Sequence, residues 1–541
     1  MLRFGLMRKS IMAALQPCLK TRHLRNALAS AALLACGLTA VWVPSAGAAE
    51  TLHQALSSAY RSNPAIMAQR RSVEATDEGV SQAHSGFRPR VIGNADAAHV
   101  DTKTDPAAAG DGSTKPRGYT IQLTQSVFQG FQSVNAVRQA EANVLAARET
   151  LRSTEQSTLL SAVTAYMDVI RDRAVVRLRE NNVRVLTREL RATQDRFKVG
   201  DVSRTDVAQS EARRARSVSD LDLAKANLRT SRAAYQQFIG HLPSQLREPP
   251  PVTRNVPGTI QEGIRRAMEE SPGVVSAAFL EKAAAHNVDQ ITGQLLPTVD
   301  LEANYTNRFE PSAGIQHRES ASLLGRLNFP FYQGGEVYSL VRQARRTREQ
   351  RAQEIEDQRR IARANLVAAW SQWQAAKAQL KSDRIQVRAN RTALSGVRAE
   401  ENVGQRSILD VLDAEQELLD AQVSLVQTKR DLVVASYSVL SATGRLTASD
   451  LGLNADIHNP EIHYGMVRRK AWGTRVLTDE EYDGYVVTGW DATVQDATRL
   501  ADDVRRMTRE AHEWAISEIH REDRIGEWDG ETIVEGDEVY K

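Results

Sequence analysis

The chain has 541 residues, 41% of them hydrophobic but only 5% aromatic, with 16 prolines and two cysteines. Its formal charge of +3 includes six cations that precede every acidic residue, so the chain after them carries −3, and the basic pI gives no support to nucleic-acid binding. A chain this long is expected to hold several compact domains. Its helical runs are instead far longer than globular ones, which describes an elongated object built from repeats.

Arg3, Arg8, Lys9, Lys20, Arg22 and Arg25 precede an apolar run from Ala27 to Val43 and then Ala46-Gly47-Ala48. Charge, apolar run and small-x-small site in that order are those of a secretory signal peptide, expected over residues 1–48. Cys18 and Cys36 both lie in it, which leaves the mature chain no disulfide, thiolate nucleophile or cysteine metal ligand. Leu33-Leu34-Ala35-Cys36-Gly37 also resembles a bacterial lipobox, which makes lipidation of Cys36 an alternative. The apolar residues continuing to Val43 and the Ala-x-Ala site favour simple cleavage.

Thr51 to about Ser85 reads as helix, broken at Asn63-Pro64, with an echo from Ile260 broken at Ser271-Pro272. After Pro89 the period changes to two. Tyr119, Ile121 and Leu123 alternate with Thr120, Gln122 and Thr124, and Val299, Leu301, Ala303 and Tyr305 with Asp300, Glu302, Asn304 and Thr306. Val91–His99 and Ala321–Phe331 complete two β-hairpins, over 89–128 and 297–331, with polar tips around Asp105–Pro116 and Pro311–His317. An apolar face opposite a polar one suits a membrane barrel with a wet lumen, and equally a half-buried soluble sheet.

Helix resumes after Gly130 and after Gly335 and runs without proline to Gly200 and Gly404, a length of ~100 Å each. Gly200 and Gly404 supply turns, and Ser203 with Asp206 and Ser407 with Asp410 read as capping boxes that restart the helix. One helical hairpin has been written twice: Pro64, Pro89, Gly130, Gly200, Asp206 and Gly240 recur as Pro272, Pro297, Gly334, Gly404, Asp410 and Gly444 at offsets of ~204–208. The repeats span 49–246 and 247–446.

In the last returning helix Val411, Leu418, Leu425, Leu432 and Val439 repeat every seven residues, and so do Leu412, Leu419, Val426, Val433 and Leu440. Adjacent stripes lie ~100° apart on a helix, so this helix needs a neighbour on each side, as in the wall of a cylinder. Residues 447–541 form a tail expected to be periplasmic and partly disordered. Its first part, Asp450–Gly473, reads as irregular, and Leu500, Val504, Met507, Ala511 and Trp514 form one short helical stripe.

After the leader no segment has ~18 consecutive apolar residues, so any membrane crossing must use a closed barrel. Four strands are too few for one chain to close it alone, since membrane barrels have at least about eight. Walker, H-E-x-x-H, G-x-S-x-G and paired Cys/His patterns are all missing, so no catalytic residue, metal site or cofactor is assigned. Asp206 and Asp410 fit a capping role and a functional role equally. Asp413 lies a turn beyond the cap on the same face as Asp410, and a symmetric oligomer would make the two a ring of carboxylates.

The leader, the Asn63-Pro64 and Ser271-Pro272 breaks, the Phe128-Gln-Gly130 and Tyr332-Gln-Gly-Gly335 strand exits and the repeated Val-Gly turn together resemble the TolC-like outer membrane channels, over roughly Glu50 to Leu453. The resemblance implies a mixed α/β membrane protein. Four strands per chain would join a shared trimeric 12-stranded outer membrane β-barrel, continued by a long antiparallel α-helical barrel in the periplasm. The partners implied are two further copies of the chain, outer membrane lipid, a periplasmic adaptor, and an inner-membrane ABC transporter or proton-driven pump.

The run Phe197–Val207, with Asp450-Leu-Gly-Leu453, looks closest to members serving type I protein secretion. Members of drug or metal efflux pumps share the fold. By position Asp410 and Asp413 look like the acidic ring of the periplasmic gate, and Arg406, Thr205 and Asp206 like gate-closing links. Glu401 stands where a gate tyrosine is expected; either it substitutes as an ionic partner for Arg406, or the closed state is weaker. Val199, Gly200, Val403 and Gly404 mark the hairpin turns where an adaptor would dock. A periplasmic coiled-coil scaffold or adhesin stalk is the alternative of another class.

Overall fold

The computed structural model describes residues 49–105 and 111–476. The expected leader with Cys36 and the stripe around Leu500 lie outside them. Helix α1 (Leu52–Ser62) opens on a capping box between Thr51 and Gln54, and α2 (Pro64–His84) starts on Asn63, whose side chain accepts from the Ala65 N–H. Strands β1 (Arg90–Ala97), β2 (Val100–Thr102), β3 (Gly112–Thr114) and β4 (Arg117–Gln129) lead into α3 (Gln132–Lys198) and α4 (Arg204–Ile239). The second repeat runs α5 (Ile260–Glu270), α6 (Pro272–Thr292), β5 (Thr298–Ser312), β6 (Ile315–Asn328), α7 (Glu336–Asn402) and α8 (Ile408–Ala442). With 67 residues each, α3 and α7 are ~100 Å long.

The four long strands form one antiparallel sheet in the order β1-β4-β5-β6. Its register sets Ile121 opposite Tyr305 and Leu301 opposite Gly325, so that Val91, Tyr119, Ile121, Leu123, Leu301, Tyr305, Leu323 and Leu327 share one face. The other face carries Asn94, Thr120, Gln122, Asn304, Thr306 and Ser322, with ion pairs from Arg308 to Asp96 (3.1 Å) and Arg326 to Glu302 (3.2 Å). Among the described residues β1 and β6 are each paired on one side only.

The second hairpin is longer than its sequence suggests. Pro311 to His317 was expected as a polar tip, yet β5 continues to Ser312 and β6 starts at Ile315. Cross-strand contacts explain it: the Tyr305 hydroxyl donates to Glu319 at 2.9 Å, His317 lies 3.1 Å from Asn307, and the Phe309 and His317 rings are 4.8 Å apart. Polar residues there pair with each other across the strands.

Sheet and helices meet where Gly130 passes Gly293. A Cβ on Gly130 would stand 2.2 Å from the Gly293 carbonyl oxygen, so the crossing tolerates no side chain. Phe87, Phe131, Phe331 and Tyr332 lie exposed around this junction.

The core lies at the level where α1 and the ends of α4 and α8 cross α3. Leu56, Leu159, Tyr166, Tyr235, Ile239 and Leu440 are buried there together. The Tyr166 hydroxyl lies 2.8 and 2.7 Å from the Glu50 and Arg247 carbonyl oxygens, between which its one hydrogen is shared, and so joins the residues before α1 to the exit of α4. The two stripes of α8 divide as expected. Leu432 and Val439 pack with Leu366 and Trp373 of α7, while Val433 and Leu440 join the α1/α3 core.

Asp450–Gly473 is not irregular throughout, as it was expected to be. It forms α9 (Ala448–Leu451) and α10 (Pro460–Val467), held on α2 and α3 by polar contacts. His463 pairs with the fully buried Asp77 at 2.9 Å, and Arg468 with Glu141 at 2.7 Å. The partners are more than 300 residues away, beyond the reach of any local pattern.

Candidate functional site

The two hairpin tips are built alike. At the end of α3 the Gly200 N–H bonds the Phe197 carbonyl and the Asp201 N–H the Arg196 carbonyl; at the end of α7 Gly404 bonds Glu401 and Gln405 bonds Glu400. This is the Schellman arrangement, and it needs the left-handed backbone that Gly200 (φ 81°) and Gly404 (φ 75°) supply. It turns Val199 and Val403 outward, 80% and 69% exposed. Apolar side chains this open at the end of a ~100 Å helix are available to a partner.

Both capping boxes are present. The Ser407 N–H and hydroxyl donate to the Asp410 carboxylate at 3.0 and 2.8 Å, and Ser203 does the same for Asp206 at 2.9 and 2.8 Å. These serine bonds hold both carboxyls below the usual aspartate range. Asp206 and Asp410 therefore have a structural role at the helix starts, and stay ionised near neutral pH. Thr205 is exposed beside Asp206.

Arg406 folds back onto its own hairpin, with Nε 2.9 Å from Glu400 and Nη1 3.9 Å from Asp410. Among the described residues it makes no bond to Thr205 or Asp206 of the same chain. The expected pairing of Arg406 with Glu401 is corrected: Glu400 takes that place, because the Schellman turn brings it under the guanidinium. Glu401, 12% exposed, pairs instead with Arg196 of the first hairpin.

A second ion pair joins the hairpins. Arg213 Nη2 of α4 lies 2.5 Å from Asp413 of α8, whose side chain is 60% exposed. The acidic pair Asp410 and Asp413 is thus split by environment, one acid bonded to a serine and the other to an arginine. Arg196 and Arg213 were missed in the sequence, where arginines recur every few residues on solvated helices and carry no mark of their partner.

Among the described residues no helix is long and apolar enough to cross a membrane, and no group of three His, Asp or Glu is placed to hold a metal ion. The features that call for explanation are a two-faced sheet with two open edges, an exposed aromatic rim and two ~100 Å hairpins ending in ionic tips.

The chain matches the model of the outer membrane efflux protein family over residues 55–241 and 263–445. It is 38% identical over 451 residues to the outer membrane efflux protein BepC of Brucella suis, covering 83% of this chain and 96% of that protein. It is 25% identical over 358 residues to the alkaline protease secretion protein AprF of Pseudomonas aeruginosa, covering 62% and 71%. Its fold resembles the Campylobacter jejuni CmeC outer membrane channel with a TM-score of 0.66 at 14% identity, covering 77% of this chain and 89% of that one. With one matched segment in each half of the chain, the chain belongs to the TolC-like outer membrane efflux protein family and is an outer membrane protein with a periplasmic extension.

Proposed function

We propose that three copies of this chain form one exit duct: a 12-stranded barrel through the outer membrane, continued by a periplasmic tunnel whose mouth the hairpin tips close. The observation that carries this reading is the four-stranded sheet whose β1 and β6 edges are unpaired among the described residues. Open edges are not tolerated in lipid, and four strands fall short of the about eight that the smallest membrane barrels have. The repeats themselves, 49–246 and 247–446, supply one strand hairpin and one helical hairpin each, and the chain has no catalytic task.

Arg196–Glu401 and Arg213–Asp413 tie the two hairpins of one copy together. Among the described residues Arg406 bonds only within its own hairpin, so its gate-closing link runs to Thr205 and Asp206 of a neighbouring copy. Asp410 and Asp413, repeated three times, form the acidic ring. A periplasmic adaptor docks on the tips at Val199–Gly200 and Val403–Gly404 and binds the open state better than the closed one, which is the only way it can shift the equilibrium. An inner-membrane ABC transporter supplies the energy.

For cargo we favour protein, by a type I secretion route, in keeping with AprF, which is named for protease secretion. The second reading, small-molecule efflux with a proton-driven pump, is favoured by BepC, named as an efflux protein. Conductance of the purified protein in a planar lipid bilayer tests the duct. Discrete steps blocked by divalent cations from one side only, with block lost in Asp410→Ala/Asp413→Ala, are expected. Arg406→Ser is expected to raise the open fraction. A folded protein silent in both forms would favour a coiled-coil scaffold.

A further inference from the structure

We propose that the segment 468–476 is a lipid-binding collar at the foot of the sheet, with Trp472 in the headgroup layer of the periplasmic leaflet and Arg469 and Lys470 directed to phospholipid phosphates. The inference rests on the membrane placement of the sheet proposed above.

Position is the first support. The Lys470 carbonyl accepts from Ser81 Oγ at 2.8 Å and from Arg88 Nη1 at 3.0 Å. Ser81 is in the last turn of α2 and Arg88 stands two residues before β1, beside the exposed Phe87. The segment is therefore pinned at the level where the strands begin, next to the aromatic rim of Phe87, Phe131, Phe331 and Tyr332. Aromatic residues at that level are characteristic of a membrane boundary.

The build of the loop is the second support. Upstream it rests on α10, through buried Val467 and the Arg468–Glu141 pair. Lys470 Nζ then donates to the Arg475 carbonyl at 2.8 Å, and Gly473 takes φ 91°, which closes a turn with Trp472 at its outer side. Trp472 is 90% exposed although its base is fixed. A large amphipathic ring ordered to face outward among cations matches an interface of apolar chains and anionic headgroups.

A competing occupant exists within the chain. Residues 477–541 carry nineteen acidic against seven basic side chains and follow directly on the loop. Continuity with the aromatic rim favours lipid, and a dye at residue 474 that is shielded from both lipid and water would instead assign the loop to the tail.

The test uses the full-length protein with Cys36→Ser and Thr474→Cys, the cysteine carrying an environment-sensitive dye. It is reconstituted into phosphatidylethanolamine vesicles containing phosphatidylglycerol and a headgroup spin-labelled lipid. The dye is expected to lose most of its fluorescence to the labelled lipid, and Trp472→Ala with Arg469→Glu to restore it. Each cation removed should shift the bound-to-free ratio about fivefold. A dye untouched by the labelled lipid but quenched by aqueous iodide overturns the collar, and so does one shielded from both, which would place protein over the loop. A dye at Leu323→Cys on the apolar sheet face, with an acyl-chain label, separates the two readings. If it is quenched and Thr474→Cys is not, the collar alone fails; if it is not quenched, the membrane barrel and the collar fail together.

Discussion

The level where α1, α3, α4 and α8 cross and the level of the hairpin tips are made by the same two repeats, yet they are held by opposite means. At the crossing, Leu159, Tyr166, Tyr235 and Ile239 are fully buried and close-packed. At the tips, Val199 and Val403 face water, and the helices meet through Arg196–Glu401 and Arg213–Asp413. Apolar packing resists any displacement, because atoms that separate lose their contacts outright. Solvated ion pairs exchange partners at small cost. A hairpin anchored at one end and ionic at the other is built to move at its tip.

The largest effect expected from breaking that contrast is at the crossing. Leu159→Ala should lower stability by about 2–5 kcal/mol, since it leaves a cavity among fixed neighbours. Arg213→Ser at the tip, whose partner Asp413 is 60% exposed, should cost no more than about 1 kcal/mol. Thermal unfolding followed by helical circular dichroism compares them, and equal losses would abolish the distinction between anchor and gate.

A comparable but acid-dependent loss is expected in the segment docked on α2. Burial, then the Arg70 and Arg71 charges, lower the His458 pKa to about 4. A depressed histidine contributes stability that is present above its unfolded value of about 6.5 and lost as pH falls toward about 4, because the unfolded state takes the proton first; the total is at most about 3 kcal/mol. Amide hydrogen exchange over α10 should speed up across that window. With His458→Gln the acid-sensitive part should vanish, and an unchanged profile would assign it to other groups.

Between the two levels, Thr428 donates to the buried Asp383 at 2.6 Å. Thr428→Val removes one bond to a carboxylate that keeps Gln379, at a cost of about 1–3 kcal/mol in unfolding. Loss within error would show that water replaces the hydroxyl there, which would extend the solvated regime of the tips far up the hairpin.

The smallest expected effect sharpens the tip itself. Arg213→Ser frees the Asp413 carboxylate, so divalent cations should block the channel up to about fivefold more tightly, the worth of one exposed pair. Titration of conductance with magnesium reads it. Weaker block would mean that Asp413 faces away from the conduction path.

The sequence by itself determined the elements and their order. Capping boxes, Pro breaks, turn glycines and heptad stripes act within a few residues, so Ser203, Ser407, Gly200 and Gly404 were legible, and the doubled stripe of α8 already required two neighbours. Only the tertiary structure decided which charges meet. Arg213 finds Asp413 across 200 residues and Arg196 finds Glu401 across 205, and His463 reaches Asp77 across 386. On long solvated helices an arginine costs little at any outward position, so nothing local marks the one that has a partner. The fold has to bring the helices side by side before such a choice exists.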